Sequence, residues 1–426
     1  MKSADLIVAG CTELITCSGE IPKRKSDLGK LETIKDGCVA SIDGKIIFAG
    51  SRHNLNREVK LAAGGIYLEA DGLIGLPGFI DPHTHLPFAG DRDEEFVLRL
   101  QGLTYQELAA KGMGIQTSVK ATRTASKEEL VNLCLKRLDS MLLMGTTTVE
   151  AKSGYGLNQN DEIKQLEALQ EADKKHPVDI VPTYMGAHEI PPEYRANKSA
   201  YITFLVETMI PVIREKKLAE FFDVFCEEGV YSIEDTRILI RAAHQAGLKT
   251  RIHADEFVSL GGARLAAEEG AASADHLIAV SDEGIQSLAK SSTAATLLPH
   301  VSFFLMQEKT APARRLIDEG AVVALATDFN PGSSMTESML FILRLGVFLL
   351  KMSIEEVLNA STANAAFALR RHQTIGSLEL EKKMDMVLCD LPNYRHLVYH
   401  TGINPVKHVI KNGRIVVKNG RIQPSP

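Results

Sequence analysis

The sequence has little of what marks a secreted, membrane-spanning or nucleic-acid-binding protein. Among its 426 residues there is no tryptophan, and the six cysteines are scattered without a Cys-x-x-Cys pair. Such spacing in a long chain does not make a disulfide framework, so we interpret the cysteines as free thiols. No apolar run reaches the roughly 18–20 residues of a membrane span, and the N-terminus lacks the apolar stretch of a signal peptide. We therefore expect a cytoplasmic protein that binds no membrane.

An excess of positive charge is lacking as well. The formal net charge is −6, and charged residues make up 24% of the chain. A nucleic-acid-binding protein usually carries a basic patch or stripe, so we expect no nucleic-acid partner. What the sequence does contain is 45% hydrophobic residues and enough length to build a large core.

Strand and helix patterns alternate through the middle of the chain. A capping box at Ser126–Glu129 predicts a helix start, and amphipathic helices are predicted over Ser232–Ala246 and Pro312–Glu319. Eight strands are predicted, over Gly78–Asp81, Thr146–Ala151, Asp179–Tyr184, Phe221–Cys226, Lys249–His253, Ala272–His276, Thr293–Leu298 and Val322–Thr327. Eight strands alternating with helices over about 250 residues are typical of an α/β protein with a (β/α)8 TIM-like barrel. A doubly wound open sheet would show the same alternation.

The two ends of the chain have a different pattern of short strands and tight turns. Asp43-Gly44 and Asn412-Gly413 each separate two apolar runs, as in a β-hairpin. We predict that residues 1–74 and 373–426 pair in space as one small β-sandwich domain. Residues 75–372 are then the barrel.

Two histidines at the end of the first predicted barrel strand are the most informative feature. His83 and His85 are two residues apart, and on a strand such residues point to the same side. Both imidazoles can therefore reach one cation, and imidazole suits zinc, iron, copper and nickel.

Ligand-type residues recur at the ends of later strands. His253 ends strand five and is followed by Glu256, His276 ends strand six, and Asp328 follows strand eight. The carboxyl ends of parallel barrel strands meet at one face, where TIM-barrel active sites lie. Three histidines and an aspartate could surround one metal, and metal binding can lower the pKa of water to about 7. Glu256, His276 and Asp328 are then candidates for proton transfer.

Each of these residues also has a structural interpretation. A single strand histidine such as His253 is often a packed core residue, Asp328 precedes a turn sequence, and Glu256 could stabilise a helix start. Their joint placement at the same end of several strands favours a metal centre. Strand four carries no lysine that could bridge a second metal, so we predict a mononuclear site. Lys152, after strand two, is interpreted as a binding or structural residue.

Loops expected at the mouth of the barrel offer further polar groups. Arg92 follows the histidine pair, and a guanidinium is the natural partner of a carboxylate. An ion pair with one of the acidic residues 91, 93 and 94 would explain Arg92 equally well. The other candidates follow strands two, three and eight: Tyr155, His188, Asn330, Gly332 and Ser333.

Together these residues resemble the amidohydrolase superfamily. The resemblance rests on the Gly-Phe-Ile-Asp-Pro-His-Thr-His run that begins at Gly78 and on the strand-end histidines and aspartate. The longer blocks Glu150–Leu157 and Ala326–Ser334 are far more specific, and they are similar to members that open a cyclic amide. The likeness covers nearly the whole chain.

This resemblance implies a metal-dependent hydrolase with a barrel flanked by a β-sandwich. It implies one divalent or trivalent metal ion per subunit, zinc or iron, bound by His83, His85, His253 and Asp328. The implied small-molecule substrate is 4-imidazolone-5-propanoate, whose lactam C–N bond would be hydrolysed to N-formimidoyl-L-glutamate in histidine degradation. The family also suggests a homodimer.

Roles for the remaining residues follow from the same resemblance. Asp328 would accept a proton from water, His276 would steady the developing oxyanion, and Glu256 would pass a proton to the leaving ring nitrogen. Arg92 would bind the propionate. The full implied substrate-binding set is Arg92, Tyr155, His188, Glu256, Asn330, Gly332 and Ser333.

Two other functions stay open on the sequence alone. A deaminase of a nitrogen heterocycle, such as cytosine or guanine, would use the same mononuclear site, but Arg92 and Tyr155 favour an acidic substrate. A non-enzymatic metal-binding barrel would keep the fold, but it would not need Glu256, His276 and Arg92 together.

Overall fold

The computed structural model of the chain describes residues 1–103, 107 and 113–424. Every residue assigned a role above lies within these ranges. The last two residues of the predicted C-terminal segment, and a short part of the predicted barrel, lie outside the described residues.

The strands of the described chain form two sheets. The N-terminal strands are β1 (Lys2–Ile15), β2 (Thr33–Ile42), β3 (Lys45–Ser51), β4 (Val59–Glu69) and β5 (Ile74–Pro77). The central strands are β6 (Phe79–Asp81), β7 (Thr146–Lys152), β8 (Asp179–Ala187), β9 (Phe221–Cys226), β10 (Lys249–Ala254), β11 (Ser273–His276), β12 (Ala294–Leu297) and β13 (Val322–Leu325). The C-terminal strands are β14 (Met386–Cys389), β15 (Val406–Lys411), β16 (Arg414–Lys418) and β17 (Arg421–Ile422).

The eight central strands form a barrel, which confirms the predicted fold class. They lie side by side in chain order, and each pairs in parallel with the next. The ring closes just beyond the first and last strands, where Thr84 pairs with Phe329 and the Asp328 amide donates to the His83 carbonyl oxygen at 3.0 Å. This closure excludes the open sheet. It also brings the residues after β6 and β13 into contact.

Helices alternate with the barrel strands. Their bounds are Asp93–Leu100, Ile115–Thr124, Lys127–Leu143, Gln159–Lys175, Lys198–Phe204, Ile210–Glu215, Ile233–Gln245, Gly262–Glu268, Asp282–Ala289, Pro299–Phe304, Ala313–Glu319, Met339–Phe348, Ile354–Ala360 and Ala363–Ala368. A π-helical turn, Leu205–Met209, joins the fifth of these to the sixth, 3-10 turns span Lys25–Gly29 and Pro192–Tyr194, and short helices span Arg52–Glu58 and His396–Tyr399.

The sequence determines several of these helix starts through capping side chains. Ser126 accepts a hydrogen bond from the Glu129 amide and Glu129 caps in return, as predicted. Ser232 and Asp235 form the same arrangement one residue before Ile233–Gln245. In the described part of the chain, none of the helices combines the length and apolar character that crossing a membrane requires.

The second sheet joins both ends of the chain, as predicted. Its strands run in the order β17-β16-β15-β14-β5-β1-β2-β3, and β4 lies beside β1. Lys411 connects this sheet to the barrel, because its Nζ lies 2.6 Å from Asp385 Oδ2 and 2.8 Å from Asp179 Oδ2 at the start of β8. The flanking sheet is therefore tied to the end of the barrel opposite the predicted ligands.

Candidate metal centre and active site

The predicted metal ligands converge at the carboxyl ends of the barrel strands. His83 and His85 follow β6, His253 is in β10, and Asp328 follows β13. His83 Nε2 and His85 Nε2 lie 3.2 and 3.4 Å from Asp328 Oδ1. His85 Nε2 and His253 Nε2 are 3.4 Å apart. The structure thus brings together all four side chains that the sequence implied as ligands.

This donor set fits a metal ion. His83 Nε2 and Asp328 Oδ1 are buried, and neither has a hydrogen-bond partner among the described residues. Donor atoms of His83, His85 and Asp328 all lie within 4.8 Å of one another, and so do those of His83, His253 and His276. Buried polar atoms without partners are costly, and a shared cation would satisfy them.

The protonation states of these ligands also suit a cation. Burial lowers the pKa of His83 to about 3 and that of His85 to about 4, so both imidazoles are neutral at physiological pH. Burial would raise the pKa of Asp328, but its contacts with His83 and His85 hold that pKa well below its usual range. Neutral imidazole and ionised carboxylate are the forms that bind metals.

Two buried carboxylates orient the ligand histidines. His83 Nδ1 donates to Asp275 Oδ2 at 2.7 Å, and His253 Nδ1 donates to Asp223 Oδ1 at 3.0 Å. Each ring is thereby fixed with Nε2 toward the other ligands. Neither Asp223 nor Asp275 is among the residues for which the sequence predicts a role. The available signal was a charged residue inside the apolar segment Phe221–Cys226, since buried charges are rare unless paired.

Two site residues have backbone conformations that residues other than glycine rarely adopt. Asp328 has φ 54° and His276 has φ 78°. Such strain persists only where the surrounding structure holds it, and it concentrates at functional sites. At Asp328 the holding contacts include Thr327, whose hydroxyl donates to Asp81 Oδ2 at 2.5 Å.

A cavity of about 570 Å³ adjoins the ligands. All of the predicted site residues line it except His83, which is fully buried behind its wall. Residues without a predicted role also line it: Glu95, Arg99, Leu103, Ile115, Glu189, Phe225, Glu227, Glu228, Val230, Phe257 and Leu305. Phe225 belongs to the strand β9, and the others come from helices and loops whose spatial neighbours are not visible from local sequence.

Arg92 has a buried ionic partner and still faces the cavity. Its Nε and Nη2 donate to the two carboxylate oxygens of Glu95 at 2.8 and 2.5 Å. The alternative of an ion pair is thus realised, but with Glu95 rather than with residue 91, 93 or 94. The guanidinium also packs against Gly332, where an added Cβ would lie 2.0 Å from Arg92 Nη1.

Glu256 and His276 form a pair suited to proton transfer. His276 Nδ1 lies 3.6 Å from Glu256 Oε1, and both side chains line the cavity. Burial raises the pKa of Glu256 to about 7, although the nearby His276 lowers it in part. A carboxyl group with this pKa can both accept and release a proton near neutral pH.

Aromatic and loop residues complete the wall of the cavity. The His188 ring stacks on that of His85 with 5.0 Å between centroids, and Tyr155 lies 5.4 Å from His188. Asn330 Oδ1 accepts hydrogen bonds from the amides of Gly332 and Ser333, both at 2.8 Å. The loop after β13 is therefore held in one conformation beside Arg92.

Comparisons with known proteins identify the family of the chain. The amidohydrolase family model matches residues 74–416. An imidazolonepropionase of Symbiobacterium thermophilum is 46% identical over 424 residues, which are 99% of this chain and 100% of that protein. An imidazolonepropionase of Geobacillus sp. strain WCH70 is 48% identical over 421 residues, covering 98% of this chain and 99% of that protein.

Solved structures share the fold at much lower identity. An adenosine deaminase from Xanthomonas campestris with bound zinc aligns with a TM-score of 0.74 at 17% identity, covering 100% of this chain and 95% of that one. A triazine hydrolase from Arthrobacter aurescens aligns with a TM-score of 0.77 at 18% identity, covering 98% and 95%. These structures establish the architecture, while the full-length relatives establish the family. The chain belongs to the amidohydrolase family and, within it, to the imidazolonepropionases.

Proposed function

We propose that the chain hydrolyses the lactam C–N bond of 4-imidazolone-5-propanoate and releases N-formimidoyl-L-glutamate, a step of histidine degradation. The observation that carries this proposal is the shared cavity. Three of the four proposed ligands, His85, His253 and Asp328, line it together with the Glu256–His276 pair and Arg92. The two relatives named imidazolonepropionase, at 46% and 48% identity over nearly the full chain, support the same reaction.

His83, His85, His253 and Asp328 would hold one zinc or iron ion per subunit. When bound, the ion supplies Lewis acidity and can lower the pKa of water to about 7. The converging Nε2 and Oδ1 atoms support this assignment. The ligand types suit zinc and iron equally well.

Arg92 binds the propionate of the substrate. A guanidinium and a carboxylate form a charge-assisted, often bidentate pair. Glu95 holds the guanidinium along the cavity wall, and Gly332 leaves the space that it occupies. Tyr155, His188, Asn330, Gly332 and Ser333 also line the cavity and would surround the heterocycle.

Three side chains move or stabilise charge during hydrolysis. Asp328 accepts a proton as the water oxygen adds to the carbonyl carbon. His276 donates a hydrogen bond to the oxygen that becomes negative. Glu256, ionised at the start of the reaction, takes over the proton that left the water and delivers it to the ring nitrogen as the C–N bond breaks. Both carboxylates then regain their starting state, and one water molecule is consumed for each product formed.

The protein works as a homodimer in the cytoplasm, without membrane or nucleic-acid partners. The six cysteines are all buried and free, which supports a reducing compartment. Light scattering coupled to size exclusion tests the dimer, and a monomer at working concentration would contradict it.

The test of the reaction uses freshly generated 4-imidazolone-5-propanoate, made in place from urocanate. We expect metal-replete protein to remove the ring chromophore and to form N-formimidoyl-L-glutamate, and we expect a chelator to stop both. An intact chromophore with metal-replete protein would contradict the proposal.

The same preparation discriminates the other functions. A deaminase would release ammonia from cytosine, guanine or a related ring, which we expect not to occur. A metal-loaded protein that is inert toward every cyclic amide and amidine would favour a binding role instead.

A further inference from the structure

Lys152 places a positive charge beneath the metal ligands without reaching the cavity. Its side chain is fully buried, and the described residues that line the cavity do not include it. Its Nζ lies 2.8 Å from Glu150 Oε1 and 2.9 Å from Asp223 Oδ2. Burying a charge costs several kcal/mol unless it is well paired. A contact with substrate, one of the roles left open by the sequence, therefore does not explain this residue.

One carboxylate partner of Lys152, Asp223, contacts one of the proposed metal ligands. Asp223 Oδ2 is in ion-pair contact with Lys152 and has no hydrogen-bond partner among the described residues, while Asp223 Oδ1 accepts from His253 Nδ1 at 3.0 Å. All three groups are buried. The charge of Lys152 attracts the carboxylate, and the carboxylate in turn fixes the imidazole ring.

The other carboxylate partner of Lys152, Glu150, is bonded to the segment that carries His83 and His85. Glu150 Oε2 accepts from the amide of Thr84 at 3.2 Å, and Thr84 Oγ1 donates to the Glu150 carbonyl oxygen at 2.7 Å. The Lys152 amide donates to the Thr84 carbonyl oxygen at 2.9 Å. Thr84 lies between His83 and His85 in the chain, so Lys152 is linked to the segment that carries these two ligands as well as to His253.

A second buried cation repeats the arrangement. Arg251 Nη2 lies 3.1 Å from Asp275 Oδ2, which in turn accepts from His83 Nδ1 at 2.7 Å. Arg251 and Asp275 are fully buried as well. Cation, carboxylate and imidazole therefore follow one another twice around the same centre.

We propose that Lys152 is a positioning residue for the metal centre. It fixes Asp223 and Glu150, and through them the ring of His253 and the segment that carries His83 and His85. The inference rests on the metal site of the proposed function and is independent of the substrate's identity.

The test compares Lys152→Met with a matched control, Lys411→Met. Lys411 is also buried and also bridges two carboxylates, Asp179 and Asp385, at 2.8 and 2.6 Å, but it lies at the opposite end of the barrel. Zinc alone is the probe, and its affinity is measured by competition with a chromophoric chelator. Loss of a group that orients a metal ligand typically weakens metal binding roughly 10–100-fold.

We expect Lys152→Met to raise the zinc dissociation constant by about that factor and to shift the visible spectrum of the Co2+-loaded protein. Lys411→Met should lose stability but keep the wild-type zinc affinity and Co2+ spectrum. Wild-type zinc affinity in Lys152→Met would overturn the proposal, as would an equal loss in Lys411→Met.

A milder variant covers the case in which Lys152→Met does not fold. Glu150→Gln keeps Lys152 and the side-chain volume but removes one of its charged partners, and we expect weaker zinc binding than in the wild type. An unchanged dissociation constant would overturn the proposal. Because zinc binding is measured without substrate, a wild type that binds zinc but leaves the lactam intact would contradict only the proposed reaction.

Discussion

At the residue scale, the lack of a side chain at Gly332 leaves room for Arg92 at the carboxylate-binding end of the cavity. An alanine Cβ at Gly332 would lie 2.0 Å from Arg92 Nη1, well inside any permitted contact. We predict that Gly332→Ala displaces the guanidinium and raises KM for the lactam at least about tenfold, as expected when roughly 1.4 kcal/mol of a charged contact is lost. Because the three atoms nearest to that Cβ all belong to Arg92 and none to a proposed metal ligand, zinc content should stay at the wild-type level.

Gly29 provides the control for that substitution. Its added Cβ would meet its nearest neighbour, Glu356 Cγ, at 3.9 Å, which is ordinary contact. Gly29→Ala should keep the wild-type KM. A Gly332→Ala enzyme with unchanged KM would mean that Arg92 does not hold the propionate.

The pKa of Glu256 predicts how activity depends on pH. Burial raises this pKa to about 7, so the carboxyl group is protonated below that value. Only the ionised form can take up a proton, so kcat/KM should fall about tenfold per pH unit below 7. We expect Glu256→Gln to lose roughly 10²–10⁴-fold in kcat and to lose this acidic limb. A limb that persists in Glu256→Gln would assign it to another group.

The side chains that we propose as metal ligands could be predicted from the sequence, whereas the residues that orient them could not. His83 and His85 are recognisable from their spacing, and His253 and Asp328 from their place at strand ends. Asp223 contacts His253 from the neighbouring strand β9, whereas Asp275 in β11 contacts His83, which follows the distant strand β6. Both relations depend on barrel closure and register. Glu95 was overlooked because three other acidic residues stand nearer to Arg92 in sequence.

At the element scale, the helix Lys127–Leu143 supports the loop that leads to Arg92. Arg137 Nη1 donates to the carbonyl oxygens of Leu86 and Phe88 at 2.6 and 2.7 Å, and its guanidinium lies 3.6 Å from the Phe88 ring centre. Arg137→Met would leave two buried carbonyls without their donor. We predict a loss of roughly 2–4 kcal/mol in the unfolding free energy of the metal-free protein, measured in urea.

The same helix offers a comparison that affects only its N-terminus. Ser126→Ala removes the capping box but no contact with the loop, and it should cost about 1 kcal/mol. If Arg137→Met cost no more than Ser126→Ala, the loop would not depend on Arg137.

Strands with a strong apolar pattern were predictable, and strands without one were not. The strand β9 has the predicted bounds, because Phe221–Cys226 is apolar around a single aspartate. The strand β4 was not predicted. Most of Val59–Glu69 is exposed and two adjacent glycines interrupt it, so pairing with β1 rather than burial determines its structure.

At the scale of the whole molecule, both chain ends belong to one sheet, and neither could complete it alone. The strand β5 lies between β1 and β14, so the N-terminal and C-terminal segments share its hydrogen bonds. Both ends have the same pattern of short strands and tight turns, and this similarity predicts that they pair. It could not predict Lys411, whose partners Asp179 and Asp385 lie in different segments of the chain.

The stability of the folded chain should depend on pH through His300. Its Nδ1 donates to Ser334 Oγ at 2.8 Å, its ring packs against Phe304 and Phe341, and burial lowers its pKa from 6.5 to about 4. Since the unfolded chain takes up this proton first, the stabilisation is complete above pH 6.5 and is lost as the pH falls toward 4.

This linkage gives a measurable difference between the wild type and His300→Gln. From pH 7.5 to 5.5, His300 should account for about 1.4 kcal/mol of lost unfolding free energy. His300→Gln keeps a donor for Ser334 but has no titrating ring, so its loss over that range, followed by urea unfolding, should be smaller by this amount. Metal-free protein is used for both, because acid also releases ions from histidine ligands.

His53, which is exposed, supplies the control, and His53→Gln should lose as much stability as the wild type. An equal loss of stability in all three proteins would contradict this prediction. It would mean that His300 takes up a proton as easily in the folded chain as in the unfolded one.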